Sequence, residues 1–297
     1  MSSSISVIIN TLNAEKWFDY ALRSIESWAG EIVVVDMHSE DRTQEIARAH
    51  GARVLLHERT GYVEPARAFA IAQATHEWVL ILDADEMVPE PLSRRLLEIA
   101  AQGEVDAVSL PRLNHIMGAA VMHSGWGPNQ DRHVRFFRRG RVELPTRIHG
   151  AIKPLPGARL VEIAALPNLA IVHFNFNDTS DIAARIDRYT TIEAATARAR
   201  GDRARPGGAL ARAVAEFVNR YVILGGWRDG WRGVYLAEWM AHYRVMTDAK
   251  LMGLQLSLRS ESIESEYRRI AEGVLLGHGR ARSSGAYVVD ATDPTRS

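Results

Sequence analysis

Short apolar segments alternate with amphipathic segments along the first 110 residues. Apolar runs of four to six residues indicate buried strands, and apolar positions spaced three or four apart indicate helices that cover a core. The pattern predicts strands at 5–10, 31–36, 53–57 and 78–83 and from 107, with helices at 16–28, 41–50, 64–75 and 92–101. Strands and helices that alternate in this way form parallel sheets covered by helices. This part of the chain is therefore predicted to be α/β.

The rest of the chain does not show this alternation of strands and helices. Residues 114–173 hold short β-like pieces between stretches rich in Gly, Pro, Arg and His, which indicates the far part of the sheet with long loops. Helices are predicted at 182–200, 209–224, 233–252 and 262–275, with a linker at 201–208. We predict an α/β domain over 1–178, a helical region over 179–276 and a disordered tail over 277–297.

Composition excludes some classes of protein. Lys+Arg and Asp+Glu are equal at 36 each, so net charge predicts no nucleic-acid partner. Cysteine is absent, which rules out disulfides and thiolate metal sites and fits a reducing compartment. No secretory signal and no apolar stretch of membrane-spanning length is visible, so we expect a cytoplasmic protein.

Two carboxylates, Asp83 and Asp85, follow the apolar run at 78–82. A buried strand does not hold charged groups inside it, so they are expected at its carboxyl end, where open α/β sheets bind ligands. Residues two apart in an extended segment point the same way. Paired carboxylates suit Mg²⁺ or Mn²⁺, which keep open positions for phosphate oxygens. The alternative is a solvated turn that carries no function.

Polar residues also follow the first two predicted strands. Thr11, Asn13 and Glu15 follow the first, and Asp36 ends the second. These groups are expected at the same sheet edge as the Asp83 segment. Carboxylates that converge there repel one another unless a cation or a donor-rich ligand lies between them. A uracil ring and a ribose offer such donors to Asp36, whereas Asp41 is assigned a structural role as a helix cap.

Several motifs in series resemble family 2 nucleotide-sugar glycosyltransferases. They begin with Ile5-Ser-Val-Ile-Ile-Asn-Thr-Leu-Asn13, Ile32-Val-Val-Val-Asp-Met-His-Ser-Glu-Asp-Arg-Thr43 and Asp83-Ala-Asp85. Later motifs resemble the lipopolysaccharide-core β-1,4-glucosyltransferase branch of that family: Gly125-Trp-Gly-Pro-Asn-Gln-Asp-Arg-His-Val-Arg-Phe-Phe137, Arg147-Ile-His149, Ile171-Val-His-Phe174, Arg188-Tyr189 and Asp229-Gly-Trp-Arg-Gly233. The similarity covers roughly residues 5 to 255.

The resemblance implies a GT-A fold, which is a Rossmann-like, mostly parallel sheet flanked by helices, here with a helical C-terminal appendage. It implies a metal-dependent enzyme that moves a hexose from a UDP-sugar to a glycan or lipid-linked acceptor and inverts the anomeric carbon. Thr11, Asn13, Glu15, Asp36 and Asp83 would then bind the donor. Asp85 would bind Mn²⁺ or Mg²⁺, with His173 as a further metal candidate, and Asp131 would be the base.

The sequence departs from the family pattern at three positions. Many relatives have Pro where Asn10 stands and an Asp or Asn where Met37 stands, and the Arg-Val-His-Glu pattern ends here in Gly150. An acid at that last position therefore has no role in this chain. His149 is a second candidate for the metal or the leaving group, although a lone His is more often a hydrogen-bonded core residue.

Asp131 has two interpretations. An acceptor hydroxyl is a poor nucleophile until a base removes its proton, a step that contributes about 10²–10⁴-fold to rate. The alternative is a surface carboxylate that forms an ion pair with Arg132 or Arg135. The motif around it favours the base.

The predicted C-terminal helices are rich in aromatic and basic residues. A cluster of this kind can seat a protein at the inner face of a membrane, pack in a core or form a homo-oligomer contact. Packing is favoured, and the other two stay open. The residues are Trp227, Arg228, Trp231, Arg232, Tyr235, Trp239 and Tyr243.

Two other functions compete with sugar transfer. A nucleotidyltransferase also places carboxylates and a metal on an α/β sheet, but it usually has a Gly-rich, basic phosphate loop after the first strand, and residues 11–14 are not one. A nucleotide-sugar-binding protein without activity is the non-enzyme alternative. The presence of Asp83, Asp85 and Asp131 argues against it.

Overall fold

A computed structural model describes residues 4–59, 64–145, 150–258 and 260–283. The strands are β1 (Ile5–Thr11), β2 (Glu31–Asp36), β3 (Arg53–Leu56), β4 (Trp78–Asp83), β5 (Glu86–Met87), β6 (Ala107–Ile116), β7 (Ala119–Ala120), β8 (Arg132–Arg138), β9 (Val142–Glu143), β10 (Lys153–Pro154), β11 (Leu160–Glu162) and β12 (Ile171–Phe176). The helices are α1 (Glu15–Arg23), α2 (Thr43–Ala49), α3 (Glu64–Ala72), α4 (Glu90–Gln102), α5 (Thr179–Ala199), α6 (Pro206–Val218), α7 (Trp231–Gln255) and α8 (Ser260–Ser283).

The main sheet has the order β3-β2-β1-β4-β8-β6-β12-β5, with β7 and β11 attached to β6. β3, β2, β1 and β4 are parallel, and β8 runs antiparallel between β4 and β6. Helices α1 to α4 connect or follow the parallel strands, as expected for crossover connections. The predicted architecture, a mostly parallel sheet flanked by helices with a helical C-terminal region, is confirmed.

The alternation of side chains along β1 gives the sheet two apolar faces. Ile5, Val7 and Ile9 pack into one buried cluster and Ile8 into the other. Helices α1 and α4 cover the first face, and α3 covers the second. Because both faces are covered, polar chemistry is confined to the edge at which the strands end.

Three helices differ in length from the sequence prediction. α1 ends at Arg23, because a turn follows in which the Ser24 hydroxyl donates to the Ala21 carbonyl. α6 begins at Pro206, inside the predicted linker, since proline is well suited to the first helical position. α8 continues to Ser283, so residues 277–283 are helical where a tail was predicted.

The chain divides into two compact units that differ from the predicted domains. The first unit contains residues 1–185 and 214–242, and the second contains 186–213 and 243–297. The predicted boundary at 178 falls beside α5, which runs from the first unit into the second. Residues 214–242 belong with the sheet because Asp229 and Arg232 bond to the backbone near the end of β6.

None of the helices within the described ranges is long and apolar enough to cross a bilayer.

Candidate active site at the carboxyl edge of the sheet

The first two strand ends are joined through Asp36, which is fully buried. One carboxylate oxygen accepts hydrogen bonds from the Ser39 backbone and from Gln44 Nε2, each at 2.8 Å. The other accepts from the hydroxyls of Thr11 and Ser39. A carboxylate offers about four acceptor positions. All four hold protein donors, so direct contact of a nucleoside with Asp36 would require one of them to give way.

The loops after β1 and β2 are tied together by reciprocal bonds. Asn13 donates its backbone N–H to the Ser39 hydroxyl and accepts the Glu40 N–H on its Oδ1, both at 2.8 Å. It has a positive φ of 50°, a conformation that Asn tolerates better than most residues. Glu15 accepts the Arg42 N–H at 3.0 Å. Asn13 and Glu15 are therefore held at the rim of the edge by the neighbouring loop.

Asp41 has the structural role that the sequence predicted. Its carboxylate accepts the backbone N–H of Thr43 at the start of α2 and that of Glu15 at the start of α1. Burial alone would raise the pKa of Asp41, but the bonds from Thr43 and Glu15 outweigh burial and lower the pKa.

Asp83, at the end of β4, is held between two guanidinium groups. Arg67 from α3 donates at 3.0 Å and Arg135 from β8 at 2.9 Å. Glu86 is fully buried beside it, accepts the Asp83 N–H at 2.9 Å and pairs with Arg112 and Arg135. Burial would raise the pKa of Asp83, but the charges of Arg135 and Arg67 hold it far below its usual range.

These arginines alter one expectation from the sequence. The carboxylates were expected to repel one another without a cation or a ligand. Instead, the charge of Asp83 is offset by Arg67 and Arg135, and the acceptor positions of Asp36 are filled by uncharged donors. Neither group needs a metal in the ligand-free protein, so the case for a metal depends on Asp85.

Asp131 precedes β8 and is only 8% exposed. Arg112 binds it through two nitrogens, at 2.9 and 3.1 Å, while Asn114 donates at 2.7 Å and His133 Nε2 lies 2.8 Å away. The alternative interpretation from the sequence, an exposed carboxylate paired with Arg132 or Arg135, is wrong in both the partner and the exposure of Asp131. Asp131 is buried and pairs with Arg112, whereas Arg132 bonds to the Ile163 carbonyl.

Asn114 is fully buried near the end of β6 and joins two parts of the site. Its amide nitrogen donates to Asp131 and to the Trp126 carbonyl, both at 2.7 Å. Its Oδ1 must then be an acceptor, and it lies 2.7 Å from His173 Nδ1 and 3.1 Å from Asn175 Nδ2. The hydrogen-bond network therefore assigns the proton of neutral His173 to Nδ1.

This assignment leaves the lone pair of His173 on Nε2, which faces Asp85 Oδ2 at 3.5 Å. Two acceptors that face each other at this distance suit a cation between them. Neighbouring ligands of an octahedral Mg²⁺ lie about 3 Å apart when each bond is about 2.1 Å. A ligating His commonly donates its other ring N–H to an oxygen, as His173 does to Asn114. Asp85 and His173 therefore fit a divalent ion that takes its remaining ligands from substrate and water.

No group of three or more His, Cys, Asp or Glu side chains converges as a metal site within the described residues. A two-ligand site is still in keeping with Mg²⁺, which is often held by one or two carboxylates together with substrate phosphates. Arg185 Nη2 lies 3.8 Å from Asp85 Oδ2 and adds positive charge at this end. His149, the other histidine candidate, lies outside the described residues.

A clamp fixes the loop that leads from β6 to Asp131. The Asp229 carboxylate accepts the backbone N–H groups of Met122 and His123, each at 3.0 Å. Arg232 donates to the carbonyls of Ile116 and Met117. The sequence motif at 229–233 thus acts on the backbone of the site loop.

The structure brings Asp83, Asp85, His173 and Asp131 into one hydrogen-bonded and ionic network. A second cluster lies on the neighbouring strands β1 and β2 and the loops that follow them. Its members are Thr11, Asn13, Glu15 and Asp36. Asn10 of β1 is the register partner of Asp83 in β4. The sequence interpretation missed the residues that connect the network. In the sequence, each of them is marked only as a polar side chain within an apolar or strand-like segment. These residues are Glu86, Arg112, Asn114 and Arg67.

Several known proteins are similar to this chain. The model of Glycosyl transferase family 2 matches residues 6–159. Lipopolysaccharide core biosynthesis glycosyltransferase LpsC of Rhizobium meliloti (strain 1021) is 27% identical over 258 residues, which cover 83% of this chain and 91% of LpsC. An uncharacterized glycosyltransferase of Rickettsia typhi is 35% identical over 102 residues, or 34% of this chain and 35% of the relative.

Two solved structures are also similar over part of the chain. Glucosyl-3-phosphoglycerate synthase from Mycobacterium tuberculosis, in complex with Mn²⁺, UDP and glucosyl-3-phosphoglycerate, is 26% identical with a TM-score of 0.31, over 38% of this chain and 44% of that one. TarS of S. aureus is 26% identical with a TM-score of 0.35, over 39% of this chain and 23% of that one. This chain spans less than half of either solved protein.

Proposed function

Because the chain belongs to glycosyl transferase family 2, we propose that it moves a hexose from a UDP-sugar to a hydroxyl group of a glycan or glycolipid, with inversion and with the help of a divalent metal. One observation carries this proposal. Asn114 connects the metal-suited pair, Asp85 and His173, to the buried carboxylate of Asp131. Donor activation and acceptor deprotonation would thus occur at two ends of one rigid network.

The donor would lie along the ends of β1, β2 and β4. Asn13 and Glu15 would face the nucleoside from the rim, with Asp83 near the ribose and diphosphate. Thr11 and Asp36 would hold the pocket in shape through the bonds that join the two loops. We assign them this supporting role because the acceptor positions of Asp36 are already taken.

Asp85 and His173 would hold Mn²⁺ or Mg²⁺. The bound ion would neutralise the charge that builds up on the leaving diphosphate. Arg185 adds positive charge near the same end, where Arg67 and Arg135 offset the charge of Asp83. Preorganised charges of this kind stabilise a leaving group without reorganising during the reaction.

The acceptor hydroxyl would lose its proton at the Asp131 end of the network. Hydrogen bonds of Asp229 and Arg232 hold the backbone of the loop that leads to Asp131. Single-step inversion needs one base and no covalent intermediate. The lipopolysaccharide-core name of LpsC supports an acceptor in the cell-envelope glycans.

The segment that contains Asp229 and Arg232 also carries an exposed surface, which we call the aromatic corner. It consists of Val222, Ile223, Trp227, Trp231 and Tyr235. These side chains are between 51% and 71% exposed. Guanidinium groups lie over both indole rings, with Arg228 at 4.9 Å from Trp227 and Arg232 at 4.4 Å from Trp231.

The aromatic corner is one surface because its elements pack backbone against backbone. A Cβ on Gly233 would meet the Gly226 carbonyl, and a Cβ on Gly226 would meet that of Arg220. Exposed indoles beside arginines suit an anionic lipid surface. We propose that this corner rests on the membrane that holds a lipid-linked acceptor. Its attachment to the site loop would orient Asp131 toward that acceptor.

Thermal shift with UDP tests the donor and metal parts of the proposal. UDP with Mn²⁺ should raise Tm, because a ligand that binds only the folded state stabilises it. Asp85→Ala should abolish the metal-dependent part of the shift. A UDP shift of equal size in EDTA would remove the metal from the account, and no shift with any nucleoside diphosphate would remove the donor.

A further inference from the structure

Asp131 is poorly placed to accept a proton itself. Each of its two carboxylate oxygens already accepts two hydrogen bonds, from Arg112, Asn114 and His133. Three of the four donors are groups that stay protonated at neutral pH. A proton on Asp131 would displace at least one of these bonds and leave the charge of Arg112 without its closest partner.

The proton affinity of Asp131 points the same way. Burial would raise the pKa of this carboxyl, but the bonds from His133 and Arg112 outweigh burial and hold the pKa below its usual range. A general base is most effective when it titrates near the working pH. The bonds from Arg112 and His133 therefore keep the Asp131 carboxylate ionised.

His133 is the member of this group that reaches solvent. Its side chain is 47% exposed, whereas Asp131 behind it is 8% exposed. Because Asp131 stays ionised, the ring nitrogen at 2.8 Å, Nε2, carries the hydrogen and donates it. The lone pair of the neutral imidazole is then on Nδ1. A buried carboxylate that orients an exposed imidazole is a recurring arrangement for general bases.

We propose that His133 is the catalytic base and that Asp131 is a positioning residue. This inference rests on the proposed function. His133 Nδ1 takes the proton of the acceptor hydroxyl as its oxygen bonds to the anomeric carbon. The bond from that carbon to the diphosphate oxygen breaks, and its electron pair leaves with UDP. Asp131 stabilises the imidazolium that forms, and the proton then passes to solvent.

The charged groups around His133 support this assignment. Within the described residues, the hydrogen-bond partner of the His133 ring is Asp131, and Arg112 of the neighbouring strand β6 donates to both oxygens of that carboxylate. Arg135 is two residues further along β8 and is engaged by Asp83 and Glu86. A carboxylate is thus the charged group in direct contact with the ring, where it stabilises the imidazolium that forms during the reaction.

Substitution of His133 tests whether the base is His133 or Asp131. The assay is UDP release from a UDP-sugar in the presence of Mn²⁺. His133→Gln retains a donor toward Asp131 but cannot take up a proton, so kcat should fall about 10²-fold or more while the KM for the donor changes little. His50→Gln is the matched control, because His50 also bonds a carboxylate, that of Asp19 at 2.9 Å, but outside the site. It should leave kcat unchanged.

The pH profile and chemical rescue give readouts that a structural role would not move. Wild-type kcat should fall as pH decreases, because a protonated imidazole cannot act as a base. Asp131→Asn should lower kcat and move this limb to lower pH, since the imidazolium loses its counter-charge. Added imidazole should restore part of the turnover of His133→Ala.

Near-normal kcat in His133→Gln, or a wild-type profile that is flat down to pH 5, would overturn the inference and return the base to Asp131. Those results presuppose a wild-type protein that releases UDP. Failure of the wild type with every UDP-sugar would instead sink the proposed function.

Discussion

His173 donates its Nδ1 hydrogen to Oδ1 of Asn114, with 2.7 Å between the two atoms. This bond fixes which nitrogen of the imidazole carries a lone pair toward Asp85, and the other end of the same amide holds Asp131. One buried amide therefore sets the chemistry of two side chains that the sequence could only suggest separately. The consequences can be measured.

Asn114→Ala should weaken Mn²⁺ binding about 10- to 100-fold, since partners that orient a metal-ligating His contribute about that much. It should also destabilise the fold, because each buried partner left without a bond costs about 1–3 kcal/mol. Titration of Mn²⁺ into the folded variant with UDP present measures the first effect. Asn177→Ala, an exposed amide bonded to Asp181, is the control. Unchanged Mn²⁺ affinity in the alanine variant at 114 would contradict the tautomer assignment.

Glu86→Gln should lower the free energy of unfolding by about 1–3 kcal/mol, because the buried Arg112 and Arg135 each lose one of their two carboxylate partners. Urea denaturation measures the change. Glu98→Gln removes an exposed helical pair with Arg95 and should cost at most about 1 kcal/mol. Equal losses of unfolding free energy in the two variants would show that the buried ion pairs contribute no more to stability than an exposed pair.

Stability in acid should depend on Glu31 at the start of β2. Burial would raise its pKa, but bonds from Ser6, Thr75 and Arg53 lower the pKa to about 2. A carboxyl with a lowered folded pKa stabilises the protein above its ordinary value of 4.5, and this contribution is lost as pH falls toward 2. Glu31→Gln should therefore flatten the decline in stability over that range. An unchanged decline would assign it to other carboxyls.

The aromatic corner should bind anionic lipid without supporting the fold. Trp227→Ser together with Trp231→Ser should weaken co-sedimentation with anionic liposomes at low salt and leave Tm nearly unchanged, as both indoles are about half exposed. Tyr20→Ser, an exposed aromatic on α1, is the control. Arg232 is left intact because it bonds to the Ile116 and Met117 carbonyls.

Three other outcomes would remove the membrane from the account. Wild-type protein that stays in the supernatant shows no lipid binding. A large fall in Tm would indicate core packing, which costs about 3–5 kcal/mol per Trp. A dimer that dissociates in the double variant would identify the corner as a contact between copies of the chain.

The sequence predicted the elements around the sheet because their periods are strong. β4 and β2 were located to the residue, and Asp83 and Asp85 were expected at the edge where the structure has them. The roles of β8 and β12 were less visible, since antiparallel insertion of β8 between β4 and β6 depends on contacts distant in sequence. Helix ends shifted wherever side-chain capping or proline decided them.

Site chemistry was predictable only in part, for a similar reason. The resemblance to the lipopolysaccharide-core branch indicated Asp131, but the exposure and partners of Asp131 depend on Arg112 and Asn114, which lie 19 and 17 residues away. A pattern of residues reports which groups reach an edge. It does not report which donors already occupy them, and that occupancy is what distinguishes His133 from Asp131.

The most direct test of the account is UDP release from UDP-glucose, UDP-galactose and UDP-N-acetylglucosamine by the wild-type protein with Mn²⁺. We expect slow release of UDP with at least one donor as water replaces the acceptor. Release should stop in EDTA and in Asp85→Ala. No UDP from any of the three, or the same rate in EDTA, would contradict a metal-dependent sugar transferase.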